Sequence, residues 1–283
     1  MSATSDSRNG ERGTGKDRLG ATFARLQARQ RTALIPFITA GDPFPDATVD
    51  VMHALVDGGA DIIELGVPFS DPMADGPVIQ HANERALRNK VGVPGILQWV
   101  REFRGRDTDT PVVLMGYLNP IAIHGVERFA REAVDSGVDG VLVVDCPIEE
   151  DAALQPLRDA GLERILLVAP TTSEPRLASA VEAAEGYLYY VSFAGITGGS
   201  KLSAQDIAQR VGDLRRRANV PVAVGFGIKD AASAKAVAAF ADAVVIGSAL
   251  VATLAGAPDR EDACVRARRF LAPIRHALDM HRG

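Results

Sequence analysis

The sequence contains few of the residues on which several protein classes depend. Cysteine occurs twice in 283 residues, at Cys146 and Cys264, with a spacing that suits neither a metal site nor a redox pair. No apolar run reaches the roughly 18 residues of a membrane span, and the N-terminus has no hydrophobic segment typical of secretory signals. The sequence therefore predicts a protein of a reducing compartment, the cytoplasm, with two free thiols and no membrane association.

Lysine and histidine are also scarce, with five residues of each type. All five lysines lie outside the predicted strands, which argues against a Schiff-base aldolase. The histidines avoid predicted strand ends and have no paired ligand spacing, so we expect no metal site. No G-x-G-x-x-G follows the first strand, which argues against a dinucleotide cofactor. The formal net charge is -5 and the basic residues are dispersed, so the sequence indicates no nucleic-acid binding.

Short aliphatic runs alternate with helical windows from about residue 19 onward. Continuous apolar strands joined by helices are typical of a parallel sheet that is buried on both faces. Eight strands are predicted: Leu34–Thr39, Asp61–Gly66, Pro111–Gly116, Gly140–Asp145, Arg164–Val168, Leu188–Ser192, Pro221–Gly225 and Ala243–Gly247. The helical windows between them include Ala47–Asp57, Val126–Ser136, Glu150–Ala160, Glu174–Ala184, Ser203–Arg217 and Lys229–Phe240. Eight such units predict an α/β fold, a (β/α)8 TIM barrel, with a doubly wound open sheet as the alternative.

The domain organisation follows from composition. Residues 1–17 are rich in Gly, Ser, Thr and charge without apolar periodicity, which predicts a flexible N-terminal extension. Residues 18–283 contain no linker-like segment and are predicted to form a single domain. A weak internal repeat, GGADIIELG, SGVDGVLVVD and AFADAVVIGS, supports the barrel, because each copy places an aspartate just before an aliphatic strand.

Two carboxylates stand out in the stretch IIELGVPFSDPMADGP, residues 62–77. Glu64 lies at the end of the second predicted strand, and Asp75 follows in the proline-rich loop after it. Active groups of such barrels lie at the C-terminal ends of strands, where an apolar mouth can separate the pKa values of two carboxyl groups. These residues are therefore candidates for acid–base chemistry. The alternative is structural, with Glu64 paired to an interior arginine and the aspartates shaping turns.

Glycine-rich segments follow the last three predicted strands, in SFAGITGGS, VGFGIKD and VIGSALV. Backbone N–H groups of such loops, next to the start of a helix, are the usual phosphate site of a barrel. The candidate donors are Gly198, Gly225, Gly227, Gly247 and Ser248. Each glycine could instead relieve a tight turn. Tyr189 and Tyr117 could add a phenol to the mouth or could be ordinary core aromatics.

Several segments together resemble the tryptophan synthase alpha subunit family of indole-3-glycerol-phosphate lyases. The segments, in chain order, are PFITAGDP, ELGVPFSDPMADGP, LMGYLNPI, VDCPIEE, YYVSFAGITG, GFGI and IGSALV. The resemblance implies retro-aldol cleavage of indole-3-glycerol phosphate to indole and glyceraldehyde 3-phosphate, without a cofactor in this chain. It assigns Glu64 as the principal acid–base group and Asp75 as the group that stabilises positive charge at the indole N–H.

The resemblance also implies contacts and a partner. It places Phe37, Leu114, Leu142, Tyr189 and Thr197 around the substrate, and it places Gly198, Gly227, Gly247 and Ser248 at the phosphate. The implied partner is a pyridoxal-phosphate-bearing beta subunit in an alpha2beta2 heterotetramer, which receives indole and contacts loops 68–77 and 117–125. Apolar residues suited to that contact are Met73, Leu118, Ile121 and Ile123. The alternatives are a stand-alone indole-releasing lyase and a catalytically silent homologue.

Overall fold

A computed structural model describes residues 17–191, 204–225 and 227–280. Within these ranges nine parallel strands form one sheet in the order β5-β4-β3-β2-β1-β9-β8-β7-β6. The strands are β1 (Ala33–Thr39), β2 (Ile63–Gly66), β3 (Val112–Gly116), β4 (Gly140–Val143), β5 (Glu163–Arg164), β6 (Leu166–Val168), β7 (Leu188–Tyr190), β8 (Val222–Val224) and β9 (Ala243–Ile246). Each predicted strand has a counterpart, although Ser192, the predicted end of one strand, lies outside the described residues.

The sheet closes into a barrel at β5 and β6. A single residue, Ile165, separates these two segments, and its N–H donates to the carbonyl of Val141 in β4 at 3.1 Å. The segment β5 pairs with β4 on one side, whereas β6 pairs with β7 on the other. The two segments therefore occupy one position of an eight-position barrel, and the predicted TIM barrel is confirmed.

Twelve α-helices lie in the described ranges, and most follow a strand and cover the outside of the barrel. They are α1 (Arg18–Ala28), α2 (Thr48–Asp57), α3 (Pro77–Arg88), α4 (Val93–Arg104), α5 (Leu118–His124), α6 (Val126–Ser136), α7 (Gln155–Asp159), α8 (Glu174–Ala183), α9 (Ala204–Arg217), α10 (Ala231–Ala238), α11 (Ser248–Ala255) and α12 (Arg260–Asp279). None of these helices is both long and apolar enough to cross a bilayer. The predicted window 150–160 divides into a 3-10 helix, Ile148–Leu154, followed by α7. Pro156 lies in the first turn of α7, where its missing N–H is tolerated, but it could not continue a helix that began earlier.

The core has two layers because alternate strand residues face opposite sides of the barrel wall. Ile35, Val113, Leu142 and Val245 pack together inside the barrel. A larger set faces outward and packs against the helices. Helix α1 adds Leu19, Phe23 and Leu26 to the interior cluster, so it covers the N-terminal end of the barrel. Of the predicted extension, Asp17 is described, and its side chain accepts a hydrogen bond from the Gly20 N–H.

The repeated aspartate found in the sequence has a structural role. Asp61, Asp139 and Asp242 each precede a strand, and each carboxylate accepts the N–H of a residue at the start of the neighbouring strand, at 2.8 to 3.0 Å. Each also pairs with an arginine from a helix, namely Arg275, Arg104 and Arg215 respectively. These three aspartates fix adjacent strands at the N-terminal end of the barrel. They therefore belong to the scaffold and not to the candidate site.

Candidate active site

Glu64 lies inside the barrel on β2, opposite Phe37 of β1 and Val113 of β3. Its side chain is 0% exposed, and its Oε1 accepts a 2.6 Å hydrogen bond from the Tyr187 hydroxyl. Its Oε2 has no hydrogen-bond partner among the described residues. Burial raises the pKa of this carboxyl to about 7, and the Tyr187 hydrogen bond limits the rise. The group can therefore exchange a proton near neutral pH, as an acid–base catalyst must.

Two tyrosines at the β7 position of the barrel, Tyr187 and Tyr189, flank the Glu64 carboxyl. Tyr187 directly precedes β7 and Tyr189 lies in its centre, so the two-residue period directs both side chains into the barrel. Burial, and then the charge of Glu64, raises the pKa of each phenol well above its usual value. The phenols therefore stay protonated, and Tyr187 is a hydrogen-bond donor. Tyr187 was not predicted from the sequence, although its spacing from Tyr189 already placed both on one face.

Asp75 lies in the loop between β2 and α3, partly buried. Asn83 of α3 donates from Nδ2 to Asp75 Oδ2 at 3.3 Å, and Gln80 donates to the Asp75 carbonyl at 2.8 Å. Tyr117, which follows β3, accepts the Ala74 N–H at 3.0 Å. Burial raises the pKa of Asp75 above its usual value, and hydrogen bonds from Tyr117 and Asn83 offset part of this rise. The carboxylate is thus held by neutral donors and has no arginine or lysine hydrogen bond in the described chain.

The residues predicted to form an apolar wall face different sides of the barrel wall. Leu142 and Tyr189 face the barrel interior, and Phe37 packs at the same end with Ala82 and Val251. Leu114 does not fit its predicted contact with substrate, because it faces outward into the layer between strands and helices. Met115, the next residue, packs against the interior and against Phe37. Since strand side chains alternate, Met115 and not Leu114 is the β3 residue directed at the barrel interior here.

Of the predicted phosphate-binding residues, Gly227, Gly247 and Ser248 lie in or directly after the loops that follow β8 and β9. Gly227 has a positive φ of 58° and its backbone is exposed. Gly247 immediately precedes α11, and Ser248 is the first residue of that helix. The first N–H groups of a helix have no intrahelical acceptor, so α11 presents donors and a positive dipole end there. Thr197 and Gly198, as well as the whole loop 193–202, lie outside the described residues.

Tyr189 also touches the loop after β8. A Cβ on Gly225 would lie 2.0 Å from the Tyr189 hydroxyl, so a glycine is needed for the observed packing.

Among the described residues, no group of three or more His, Cys, Asp or Glu could hold a metal ion. The described side chains of the site offer a carboxyl group for proton transfer and phenol hydroxyls as hydrogen-bond donors, beside an apolar wall.

The predicted partner loops differ in how their apolar residues are placed. Met73 is 87% exposed and Ile123 is 80% exposed, although both are large and apolar. Ile121 is buried in the core, and Leu118 is partly buried against it. Only Met73 and Ile123, of these four residues, therefore present an apolar surface at the mouth of the barrel.

A buried carboxyl whose pKa is raised by burial, on the inner face of an eight-position barrel, is typical of the class of α/β-barrel enzymes that use acid–base chemistry. A family model described as tryptophan synthase alpha chain matches residues 23–278. The chain therefore belongs to the tryptophan synthase alpha chain family. Members are lyases that cleave indole-3-glycerol phosphate, and the alpha chain is the cofactor-free subunit, whose designation implies a beta-subunit partner.

Known proteins agree with this membership. The tryptophan synthase alpha chain of Xylella fastidiosa (strain M12) is 60% identical over 263 residues, covering 93% of this chain and 98% of that protein. That of Xanthomonas axonopodis pv. citri (strain 306) is 60% identical over 264 residues, with the same coverage of 93% and 98%. The crystal structure of subunit alpha from Legionella pneumophila has a TM-score of 0.87 and 43% identity, covering 93% of this chain and 98% of that one. Ligand-free tryptophan synthase from M. tuberculosis has a TM-score of 0.82 and 36% identity, with 93% and 99% covered.

Proposed function

We propose that this chain cleaves indole-3-glycerol phosphate by a retro-aldol reaction in which Glu64 transfers the protons. The observation that supports this role is the burial of Glu64 inside the barrel, with a pKa of about 7 and an Oε2 without a partner among the described residues. A carboxyl of that pKa can act as an acid and then as a base at neutral pH without a large energetic penalty in either direction.

The reaction needs two coordinated proton movements. Protonation of indole C3 places positive charge on the ring nitrogen and prepares the bond to the glycerol chain for cleavage. Removal of the proton from the hydroxyl on the adjacent glycerol carbon then lets that carbon become an aldehyde. The electron pair of the broken C–C bond returns to the ring, so the products are neutral indole and glyceraldehyde 3-phosphate. Glu64 is the proposed donor and acceptor for these protons.

Asp75 is proposed to accept the indole N–H and to stabilise the charge that develops there. Its two neutral donors, Asn83 and Tyr117, oppose the effect of burial and favour the ionised carboxylate. A fixed negative charge beside a developing cation is worth most in a partly dry site, because water screens it less there. The assignment is consistent with a division of work in which Glu64 changes protonation state and Asp75 does not.

The remaining contacts are proposed from the position of each residue. Phe37, Leu142 and Tyr189, together with Met115, form the apolar wall suited to a flat indole ring. Gly227, Gly247 and Ser248 would bind the phosphate through backbone N–H groups and the start of α11. The resemblance adds Thr197 and Gly198, which lie outside the described residues.

We also infer that the chain works with a beta subunit in an alpha2beta2 assembly and passes indole to it, with pyridoxal phosphate in the partner. Support comes from family membership and from Met73 and Ile123, whose large apolar side chains are exposed beside the mouth. A partner that covers them would bury apolar surface and could favour one arrangement of the loops. The alternative is a stand-alone lyase, for which these two residues would have no such role.

The test is indole release from indole-3-glycerol phosphate by the purified chain, with and without the beta subunit from the same source. We expect slow release that rises strongly on addition of the partner. Fast release that is indifferent to the partner would support the stand-alone lyase. Release of no indole under either condition would contradict the proposed activity. A double variant, Met73→Ser with Ile123→Ser, should lose the response to the partner and keep the basal rate.

A further inference from the structure

Asn83 is a buried amide whose side chain is directed at the candidate active site. It lies on the second turn of α3 and is 4% exposed, and its Nδ2 reaches the Asp75 carboxylate at 3.3 Å. A buried amide must find partners for its polar atoms, so its orientation is fixed by the groups around it. The direction of this hydrogen bond is informative, because it favours the ionised form of Asp75.

Side-chain contacts hold helix α3, which carries Asn83, to the loop before it and to the loop after β1. Gln80 of α3 donates from its side chain to the Asp75 carbonyl at 2.8 Å, and its N–H donates to the Gly76 carbonyl at 3.0 Å. Arg85, two residues beyond Asn83, makes a bidentate contact with Asp42 in the loop after β1, at 2.5 and 3.0 Å. Asp42 is 6% exposed, so this ion pair is a firm anchor.

The groups that face the Asp75 carboxyl come from two elements. Asn83 reaches it from α3, and Tyr117 reaches it from the segment after β3. Burial raises the pKa of Tyr117, as does the charge of Asp75 and, more weakly, that of Asp145. Tyr117 is therefore a neutral donor, and the Asp75 carboxyl depends on neutral donors on both sides. The loss of either donor should destabilise the ionised form of Asp75 and so raise the pKa of this carboxyl.

We propose that Asn83 is a positioning residue for the lyase reaction: its amide holds the Asp75 carboxylate in the orientation that meets the indole nitrogen. This inference rests on the proposed role of Asp75. Asn83 acts through Asp75 and needs no contact with substrate. The anchored helix α3 supplies the rigidity that such a role requires, because a carboxylate displaced by 1 Å loses much of its effect on a developing charge.

The experiment compares Asn83→Ala and the near-isosteric Asn83→Asp with the parent in complex with the beta subunit. We expect kcat for indole release to fall at least about tenfold, since a hydrogen bond to a charged group is lost, with little change in KM. The acid limb of the pH profile should move to higher pH in Asn83→Ala, because the ionised form of Asp75 loses a donor. The ionisation near pH 7 that we assign to Glu64 should stay in place, since Asn83 does not contact Glu64.

A matched control is Ser136→Ala at the end of α6. Ser136 is also a buried polar residue, and it bonds Arg101 and the Glu132 carbonyl far from the site. The Ser136→Ala variant should lower the melting temperature as Asn83→Ala does, but it should leave kcat and the pH profile unchanged. An Asn83→Ala protein with a parental kcat and an unmoved acid limb would overturn the inference.

The double variant with Asp75→Asn separates this inference from the proposed function. If Asn83 acts through Asp75, then Asn83→Ala should cause no further loss in the Asp75→Asn background. An equal loss in both backgrounds would show that Asn83 acts by another route. If Asp75→Asn alone keeps parental turnover, the proposed role of Asp75 fails, and the positioning role fails with it. An inactive Asp75→Asn beside a parental Asn83→Ala would overturn the positioning role alone.

Discussion

The hydroxyl of Tyr187 and the carboxyl of Glu64 meet across the barrel at 2.6 Å, although the two residues are 123 positions apart in the chain. The hydrogen bond favours the ionised carboxyl and works against burial, which is the larger influence on the Glu64 pKa. The balance between the two leaves the pKa near neutrality. Tyr187 is therefore expected to set the pH at which the enzyme works.

Replacement of Tyr187 by phenylalanine tests that balance. The ring contact with Phe23 in the interior should survive, while the donor to Glu64 is lost. The pKa of Glu64 should rise, and the pH profile of indole release should move upward by about one pH unit. The control is Tyr190→Phe on the same strand, because the Tyr190 hydroxyl is buried without a partner in the described chain. An unmoved profile in Tyr187→Phe would mean that the tyrosine does not tune Glu64.

Replacement of Glu64 by glutamine should change how stability depends on pH. In the parent, the unfolded glutamate ionises near 4.5 and the folded one near 7, so the folded state binds more protons between these values. Parental stability should therefore fall as pH rises through this window and level off above it. Glutamine does not titrate, so the free energy of unfolding of the variant should not fall in this way. Relative to a pH below 4.5, its advantage over the parent at pH 8 should reach about 3 kcal/mol.

Urea unfolding at pH 5.5 and pH 8 measures the part of this difference that develops between those pH values, about 2 kcal/mol. A surface control, Glu182→Gln on α8, should show the parental dependence on pH. If the Glu64→Gln protein loses as much stability as the parent between the two pH values, the buried carboxyl is not the cause.

A methyl group at Gly225 should disturb the site through Tyr189. The added Cβ would lie 2.0 Å from the Tyr189 hydroxyl and 2.6 Å from its Cζ, so the ring must move. We expect Gly225→Ala to lower kcat/KM by about tenfold to a hundredfold, in line with the energies of overpacking. Gly95→Ala is the control, because a Cβ there meets nothing within 4 Å. Parental kinetics in Gly225→Ala would show that the position of Tyr189 is unimportant.

Asp139 should matter for stability and not for chemistry. It accepts the Val112 N–H and pairs with Arg18 and Arg104 at the N-terminal end of the barrel. Asp139→Ala leaves the buried Val112 N–H without its acceptor and removes the carboxylate that pairs with both arginines, which keep only backbone carbonyls as acceptors. This loss should cost about 3–5 kcal/mol in denaturant unfolding. Asp213→Ala removes a surface carboxylate and should cost at most about 1 kcal/mol. Folded Asp139→Ala protein should release indole at the parental rate per molecule.

Much of the fold could be predicted because the strands are continuously apolar and short, and because each is followed by a helical window. The same feature limited the site prediction. In a strand that is apolar on both faces, the sequence does not show which residue points inward, so it could not show that Leu114 faces outward. Glu64 could be singled out from the sequence because a carboxylate is unusual in a continuously apolar strand, and the structure places it on β2 inside the barrel.

Other contacts could not be predicted because they join distant parts of the chain. The Tyr187 hydroxyl reaches Glu64 only after closure brings β7 and β2 to opposite walls. The aspartates at 61, 139 and 242 were visible as a repeat. Their arginine partners could not be predicted, because the number of residues between aspartate and arginine differs in each pair. Asn83 has no distinctive sequence context, and its contact with Asp75 depends on the path of the loop before α3.

We claim that Glu64 transfers the protons in the cleavage of indole-3-glycerol phosphate. The most direct measurement is single-turnover release of indole by Glu64→Gln in complex with the beta subunit, together with its affinity for glyceraldehyde 3-phosphate. Glutamine keeps the size of the side chain and an acceptor for Tyr187, so product binding should be retained while release falls by a factor of about a hundred or more. Parental release by a variant that still binds the product would contradict the claim.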